Sequence, residues 1–325
     1  MAALLLAIAV AGGGALWWLQ QPLGLSAATL ELEIEPGQSP RDVARAVADA
    51  GVDVSPWLLY QWFRWSGQSR QIRAGSYELG EGTTPRGLLR KLVDGDQTLA
   101  RLRLIEGWTF RQMRAELGRT TTLKADTAAM SDAQIMAALG ADGQAPEGRF
   151  FPDTYTFAKG SSDLAVLRRA HAAMRKRLEA AWAQRPADTP LRSADDLLTL
   201  ASIVEKETGR ADDRPLIAGV FINRLRVGMP LQTDPTVIYG LGERFDGNLR
   251  RKDLQTDTPY NTYTRNGLPP TPIAMPGRDA LMAAISPART RALYFVARGD
   301  GTSEFSETLA DHNRAVDRFQ RKAAR

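Results

Sequence analysis

The chain contains no cysteine, and its 325 residues include only two histidines, His171 and His312. Without a thiol there is no disulfide, no thiolate nucleophile and no cysteine-based metal site. Two histidines so far apart exclude a His-rich metal site, and any Ser-His-Asp triad would depend on one of them. Chemistry therefore falls to carboxylates, hydroxyls, tyrosine and arginine, and neither metal nor other cofactor is expected. Charge is scarce at the N-terminus as well. Residues 2–19, AALLLAIAVAGGGALWWL, carry no charged or strongly polar side chain. That length is just sufficient to cross a bilayer core as a helix, and Trp17 and Trp18 stand where interfacial aromatics belong. A cleaved signal peptide needs a basic leading segment and a shorter apolar run, so a single-pass anchor is the expectation. Either reading places the bulk of the chain outside the cytoplasm.

Elsewhere charge is plentiful and mixed. Forty-two Lys and Arg face 37 Asp and Glu, a net charge of +5. The two signs are interleaved and no nucleic-acid motif is present, so nucleic acid is not an expected partner.

After a short linker (20–29) one pattern occurs three times. Gly-x-Ser/Thr-x-Arg appears as Gly37/Ser39/Arg41, Gly82/Thr84/Arg86 and Gly107/Thr109/Arg111. Glycine makes the turn, the hydroxyl caps the next helix, and Pro40 and Pro85 fit a first helical position. LELEI and ARLRLI, before the first and third turns, alternate like strands. Small strand–turn–helix units with no chemistry of their own are expected. The polar stretch 120–146 is expected as a hinge or insertion. PEGRFFPDTYTFAKG (146–160) reads equally as a buried aromatic corner or as a wall for sugar or peptide.

Helices are expected over 163–184, from Ser193 to Gly209, and from about Pro215 to Val227. The middle one has an apolar stripe of Leu197, Leu200, Ala201, Val204 and Thr208. The run 229–242 is expected as a polar turn. Residues 258–277, with four prolines, cannot be helical and should form a rigid loop, where binding usually resides. A helix (RDALMAAISPA) and a strand (ALYFVARG) follow.

ASIVEKETGR (201–210) closes the middle helix with two carboxylates. On a helical wheel Glu205 and Glu207 lie on opposite flanks of the stripe, so they do not form a pair. Glu207 lies at the edge of the buried face. A carboxyl half-buried among apolar neighbours has a raised pKa, which makes Glu207 the better candidate general acid; a solvated helix end is the plainer alternative. Gln232, Thr233 and Asp234, with Tyr260, Asn261 and Tyr263, suit a hydroxyl-rich ligand.

ASIVEKET, GVFINRLRVGMPLQTDPTVIYG and YNTYTRNGLPPTPIAMPG, with EGRFFPDTYTF and LYFVARGDG, resemble the YceG-like endolytic murein transglycosylases over essentially the whole chain. The resemblance implies an α+β fold with an N-terminal membrane anchor (1–19), a LysM-like strand–helix subdomain (30–97) and a mixed α/β catalytic region (98–325). It implies an inner-membrane protein with its catalytic region in the periplasm, acting on peptidoglycan glycan strands and meeting peptidoglycan synthases. The family's catalytic acid falls on Glu207. Gln232, Thr233, Asp234, Tyr260, Asn261, Tyr263 and Glu147 are the expected substrate-binding residues. Ser303 stands where relatives commonly carry a histidine. The absence of basic residues before the anchor points to a start further upstream. A non-catalytic peptidoglycan-binding scaffold and a hydrolase using Glu147 or Asp234 as second carboxylate remain the alternatives.

Overall fold

The apolar N-terminal stretch is one helix, α1 (Ala2–Trp18), in the computed structural model, which describes residues 1–35 and 37–321 and, of residues 3–9, 11 and 321, no side chains. Its 17 residues rise about 26 Å, short of a hydrocarbon core about 30 Å thick. Among the described residues no helix is long and apolar enough to cross a membrane. Val10, Leu16 and Trp17 of α1 are exposed.

The chain then builds two units. The first comprises Met1–Leu102, Thr120–Lys124 and Thr156–Ser162. Residues expected as linker hold β1 (Gly24–Leu25), which pairs antiparallel with β3 (Val52–Asp53), while Leu23 enters the core. β2 (Thr29–Ile34) leads through Gly37 into α2 (Pro40–Asp49), and α3 (Pro56–Trp65) follows β3. β4 (Gly75–Gly80) pairs antiparallel with β2 and turns at Gly82 into α4 (Pro85–Asp94). Ser39 and Thr84 accept the amide hydrogens of Asp42 and Gly87, so both helices are capped as their sequences foretell. Leu32, Val43, Leu59, Phe63, Tyr77 and Leu88 fill the core between sheet and helices.

β5 (Leu99–Arg103) opens the third strand–turn–helix element, whose helix is α5 (Phe110–Arg119). The second unit comprises Arg103–Arg119, Ala125–Tyr155 and the chain from Asp163 onward. The polar stretch after α5 holds a capped helix, α6 (Asp132–Ala138). β6 (Thr154–Ala158) pairs with β5. Then come α7 (Asp163–Ala183), α8 (Ala194–Glu207), α9 (Arg214–Arg226), α10 (Asp234–Leu241), α11 (Arg251–Gln255) and α12 (Arg278–Ile285). β7 (Tyr294–Ala297) and β8 (Ser303–Ser306) form an antiparallel hairpin before α13 (Leu309–Val316). The architecture is α+β, with small two-stranded sheets.

Three expectations change. First, α8 has no one-sided stripe. Every residue from Leu197 to Val204 is buried, because α7, α9, α10 and α12 all pack against it. Second, α8 ends at Glu207 through an extended Thr208 (φ −147°), not through a glycine turn at Gly209. Third, the expected polar turn at 229–242 contains α10, with Pro235 in its first turn, where a missing amide hydrogen costs nothing. The aromatic stretch 146–160 is a buried corner rather than a binding wall. Phe150, Phe151, Tyr155 and Phe157 are all buried, and Phe150 stacks on Phe110 at 5.0 Å. Residues 258–277 form neither helix nor strand.

Candidate active site

The last three residues of α8 fasten three separate segments. Glu205 Oε2 accepts the Gly277 amide hydrogen at 2.9 Å. Lys206 Nζ donates to the Gly107 carbonyl at 3.2 Å. Glu207 Oε2 accepts the Thr233 hydroxyl hydrogen at 2.6 Å. Successive helical residues diverge by about 100°, so three neighbours reach three partners. The two carboxyls point to different places, as the wheel requires. The Gly107 turn is itself stitched to the 271–277 loop: Gly107 N–H donates to Met275 O at 2.9 Å and Met275 N–H to Trp108 O at 2.7 Å.

Burial pushes the Glu207 carboxyl above its ordinary range, and the nearby Asp234 adds to the shift; the Thr233 hydrogen bond and the Arg224 charge oppose it. Among the described residues no hydrogen bond reaches its Oε1. Arg224 is itself buried. Its guanidinium donates to Leu293 O at 2.6 Å and Leu231 O at 2.7 Å, and lies 5.4 Å from the Tyr294 ring centroid. It delivers a positive charge to the site while carbonyl oxygens satisfy its donors. Sequence reasoning missed it. The available signal was an arginine within the apolar run GVFINRLRVG, on a helix otherwise buried from Ile217 to Ile222.

Three of the expected ligand residues flank Glu207 with different roles. Thr233 is buried, its hydroxyl held by Glu207 and its amide hydrogen by Thr262 Oγ1 at 3.1 Å. It positions the carboxyl rather than offering a surface. Gln232 and Asp234 on either side of it are exposed. Gln232 holds a left-handed φ of +47°, rare for a residue with a side chain, and its amide hydrogen bonds Thr262 O at 3.0 Å. Asp234 Oδ1 accepts from the Tyr263 hydroxyl at 2.6 Å, and burial with that carboxylate pushes the phenol upward.

Asn261 is corrected outright. It is 1% exposed. Its amide nitrogen donates to the carbonyls of Asp253, Leu254 and Thr256, and its oxygen accepts the Tyr263 amide hydrogen. Buried and with its donors engaged by loop carbonyls, Asn261 braces the loop.

A cleft of about 810 Å³ opens beside these residues, lined among others by Thr109, Phe110, Glu147, Lys206, Pro235, Tyr239 and Tyr260. That volume lies within the range of ligand pockets. Tyr239 meets Tyr260 edge-on at 4.9 Å, and the Tyr260 hydroxyl bonds Thr271 Oγ1 at 2.8 Å. Glu147 is only 6% exposed. Its Oε1 accepts the Phe110 amide hydrogen at 3.0 Å, at the start of α5, and its Oε2 accepts the Tyr239 hydroxyl at 3.1 Å. Burial nonetheless pushes its carboxyl up to about 7. Both oxygens are engaged internally, so Glu147 ties α5 to α10 where it lines the cleft. The cleft does bring together Lys206, Pro235 and Tyr260, from the three motifs read in the sequence.

Comparison with known proteins converges on one family. The profile of the YceG-like family matches residues 32–318. The chain is 32% identical over 311 residues to a Bacillus subtilis protein named endolytic murein transglycosylase, covering 90% of this chain and 86% of the relative. A Streptococcus pneumoniae protein of the same name is 29% identical, and this chain spans 57% of its length. A crystal structure of a Listeria monocytogenes protein described as yceG-like superposes with a TM-score of 0.53 at 30% identity, covering 88% of this chain and 98% of that one.

Proposed function

The chain belongs to the YceG-like family, and from that premise we propose that it is an endolytic lytic transglycosylase with Glu207 as its acid and base. The substrate is the peptidoglycan glycan strand, cut between N-acetylmuramic acid and N-acetylglucosamine. The observation that carries the reading is a buried carboxyl raised above its ordinary range, with one oxygen held by Thr233 and the other unbonded among the described residues. With Oε2 accepting from Thr233, the acidic proton resides on Oε1.

The proton passes from Oε1 to the glycosidic oxygen. The bond from that oxygen to muramyl C1 breaks, and the glucosamine leaves with a hydroxyl. The new Glu207 carboxylate, favoured by the Arg224 charge, takes the proton of the muramyl 6-hydroxyl. Its oxygen closes on C1, leaving a 1,6-anhydro end and a reprotonated Glu207. No water enters, so the reaction is a lyase reaction, and one carboxyl suffices where a hydrolase uses two. Gln232, Asp234, Tyr260 and Tyr263 are the proposed sugar contacts. The character of α1 supports an inner-membrane anchor: an uncharged apolar helix in which Val10, Leu16 and Trp17 are exposed. The catalytic unit would then work in the periplasm.

The test is digestion of purified peptidoglycan followed by mass analysis. Anhydro ends support the proposal, reducing ends indicate a hydrolase, and no cleavage indicates a binding scaffold. Glu207→Gln should abolish cleavage with the fold retained. If Glu207→Gln stays active while Glu205→Gln is inactive, the assignment is wrong.

A further inference from the structure

Apart from Trp17 of α1, helix α3 is where large aromatics among the described residues of the first unit are turned outward. Its inner face enters the core through Leu59 and Phe63, and Trp62 Nε1 donates to Pro85 O at 3.2 Å. Its outer face carries Trp57 and Trp65, 65% and 73% exposed, with Gln61 and Arg64 between them. At i, i+4, i+7 and i+8 these four residues share about a quarter of the helix circumference, and the two indoles stand about 12 Å apart along the axis. An exposed tryptophan pair on a folded domain is unusual and marks a contact surface. The segment that carries the face is basic in sequence. Residues 54–77 contain three arginines and no aspartate or glutamate.

The chain path says what lies near this face. Only residues 19–22 separate the end of α1 from Leu23, which is buried in the first unit's core and bonded by its amide hydrogen to Thr83 O at 2.8 Å. That gap spans at most about 18 Å even when extended. The next residues, Gly24 and Leu25, pair with Asp53 and Val52. Two residues beyond that strand α3 begins, with Trp57 in its first turn. The outward tryptophans therefore sit on the segment paired directly to the strand through which α1 enters the unit.

The geometry points to a second membrane contact: the outer face of α3, with Trp57, Gln61, Arg64 and Trp65, and Arg70 beyond it, rests on the anionic lipid surface beside the anchor. It rests on the reading that α1 enters the bilayer. Indole rings favour the headgroup level, and arginines beside them favour anionic lipid. The contact would hold the first unit against the membrane instead of leaving it on a free tether.

The absence of cysteine permits a direct test on the full chain. Gln61→Cys, labelled with a fluorophore, is reconstituted in phosphatidylglycerol-containing vesicles whose headgroups carry a nitroxide quencher. Ala15→Cys, read against a quencher on the acyl chain, reports the anchor separately. The expected result is quenching at position 61. It should be lost in the Trp57→Ser/Trp65→Ser variant, with thermal unfolding confirming the fold. It should weaken in Arg64→Gln/Arg70→Gln on anionic but not on neutral vesicles. Quenching at 15 without quenching at 61 overturns the surface contact while leaving the anchor intact. Quenching at 61 without quenching at 15 retains the surface contact and overturns the anchor. A label at 61 that ignores lipid and responds to soluble glycan fragments overturns the contact in favour of a sugar platform.

Discussion

The neighbourhoods of Glu147 and Glu207 present the same group under the same dominant force, with opposite consequences. Each is a glutamate in the second unit whose carboxyl is raised by burial. Glu147 has both oxygens bonded, to the Phe110 amide hydrogen and the Tyr239 hydroxyl. Glu207 has one oxygen bonded and, among the described residues, no hydrogen bond to the other. A perturbed carboxyl therefore identifies strain in the environment, and the hydrogen-bond inventory separates a latch from a candidate acid. The first way to break the comparison is to exchange each glutamate for glutamine, which keeps size and loses the proton-transfer role. Glu207→Gln should lower turnover by about 10²–10⁴-fold or more, the usual weight of a general acid. Glu147→Gln should retain activity within about tenfold, since it removes no proposed contact with sugar. Product quantification by mass spectrometry decides it, and equal losses in both variants would erase the distinction.

The second prediction concerns pH and stability. The Glu147 carboxyl rises from 4.5 to about 7 on folding. As pH climbs through that window, the unfolded chain loses its proton first and the folded chain binds more protons. Stability therefore falls between about pH 4.5 and 7 and is level beyond, by about 3 kcal/mol in all. Glu147→Gln should remove this dependence. Denaturant unfolding at several pH values measures it, and an unchanged slope in the variant would place the titration elsewhere.

Thr233→Val sharpens the other side of the comparison. It deletes the one hydroxyl that positions Glu207 and leaves Oε2 buried without a donor, at a cost of about 1–3 kcal/mol in stability. The hydrogen bond holds the Glu207 pKa down. Its loss should move the basic limb of the pH–rate profile upward while the pattern of anhydro products stays the same. A valine variant with an unshifted limb would detach Thr233 from the acid.

The sequence already contained much of this, and what it hid was nonlocal. Ser39, Thr84 and Ser193 cap their helices as their local spacing dictates, because capping needs only a hydroxyl and the amide three residues on. The third repeat shows the limit. Gly107 and Thr109 follow the same grammar as Gly37 and Ser39, yet their turn binds Met275 and Lys206, far along the chain. The seclusion of α8 on all sides was hidden for the same reason, since helices distant in sequence cover the flank that the wheel leaves polar. Asn261 read as a sugar ligand because an amide in a polar loop suits both roles. Only the three carbonyls that surround it show a brace. The buried arginine Arg224 was the largest omission, since a carbonyl from the remote Leu293, together with that of Leu231 just past its own helix, is what makes its burial tolerable.

The smallest effect is expected at Glu205, the neighbour that shares the helix end. Its Oε2 holds the Gly277 amide hydrogen, and burial first, then the Glu106 charge, raises its pKa. Gly277 leaves Glu106 no spare room, because an added Cβ would fall 2.0 Å from a Glu106 oxygen. Glu205→Gln keeps an oxygen for Gly277 and removes one of two crowded negative charges, so stability near neutral pH should be equal or slightly higher. Glu205→Ala frees the loop end and should cost about 1 kcal/mol, a fall of about 2–4 °C in Tm for a unit of this size. If glutamine at 205 costs as much as alanine, the carboxylate charge itself is required there. The neighbour of the proposed acid would then be more than a clasp for the 271–277 loop.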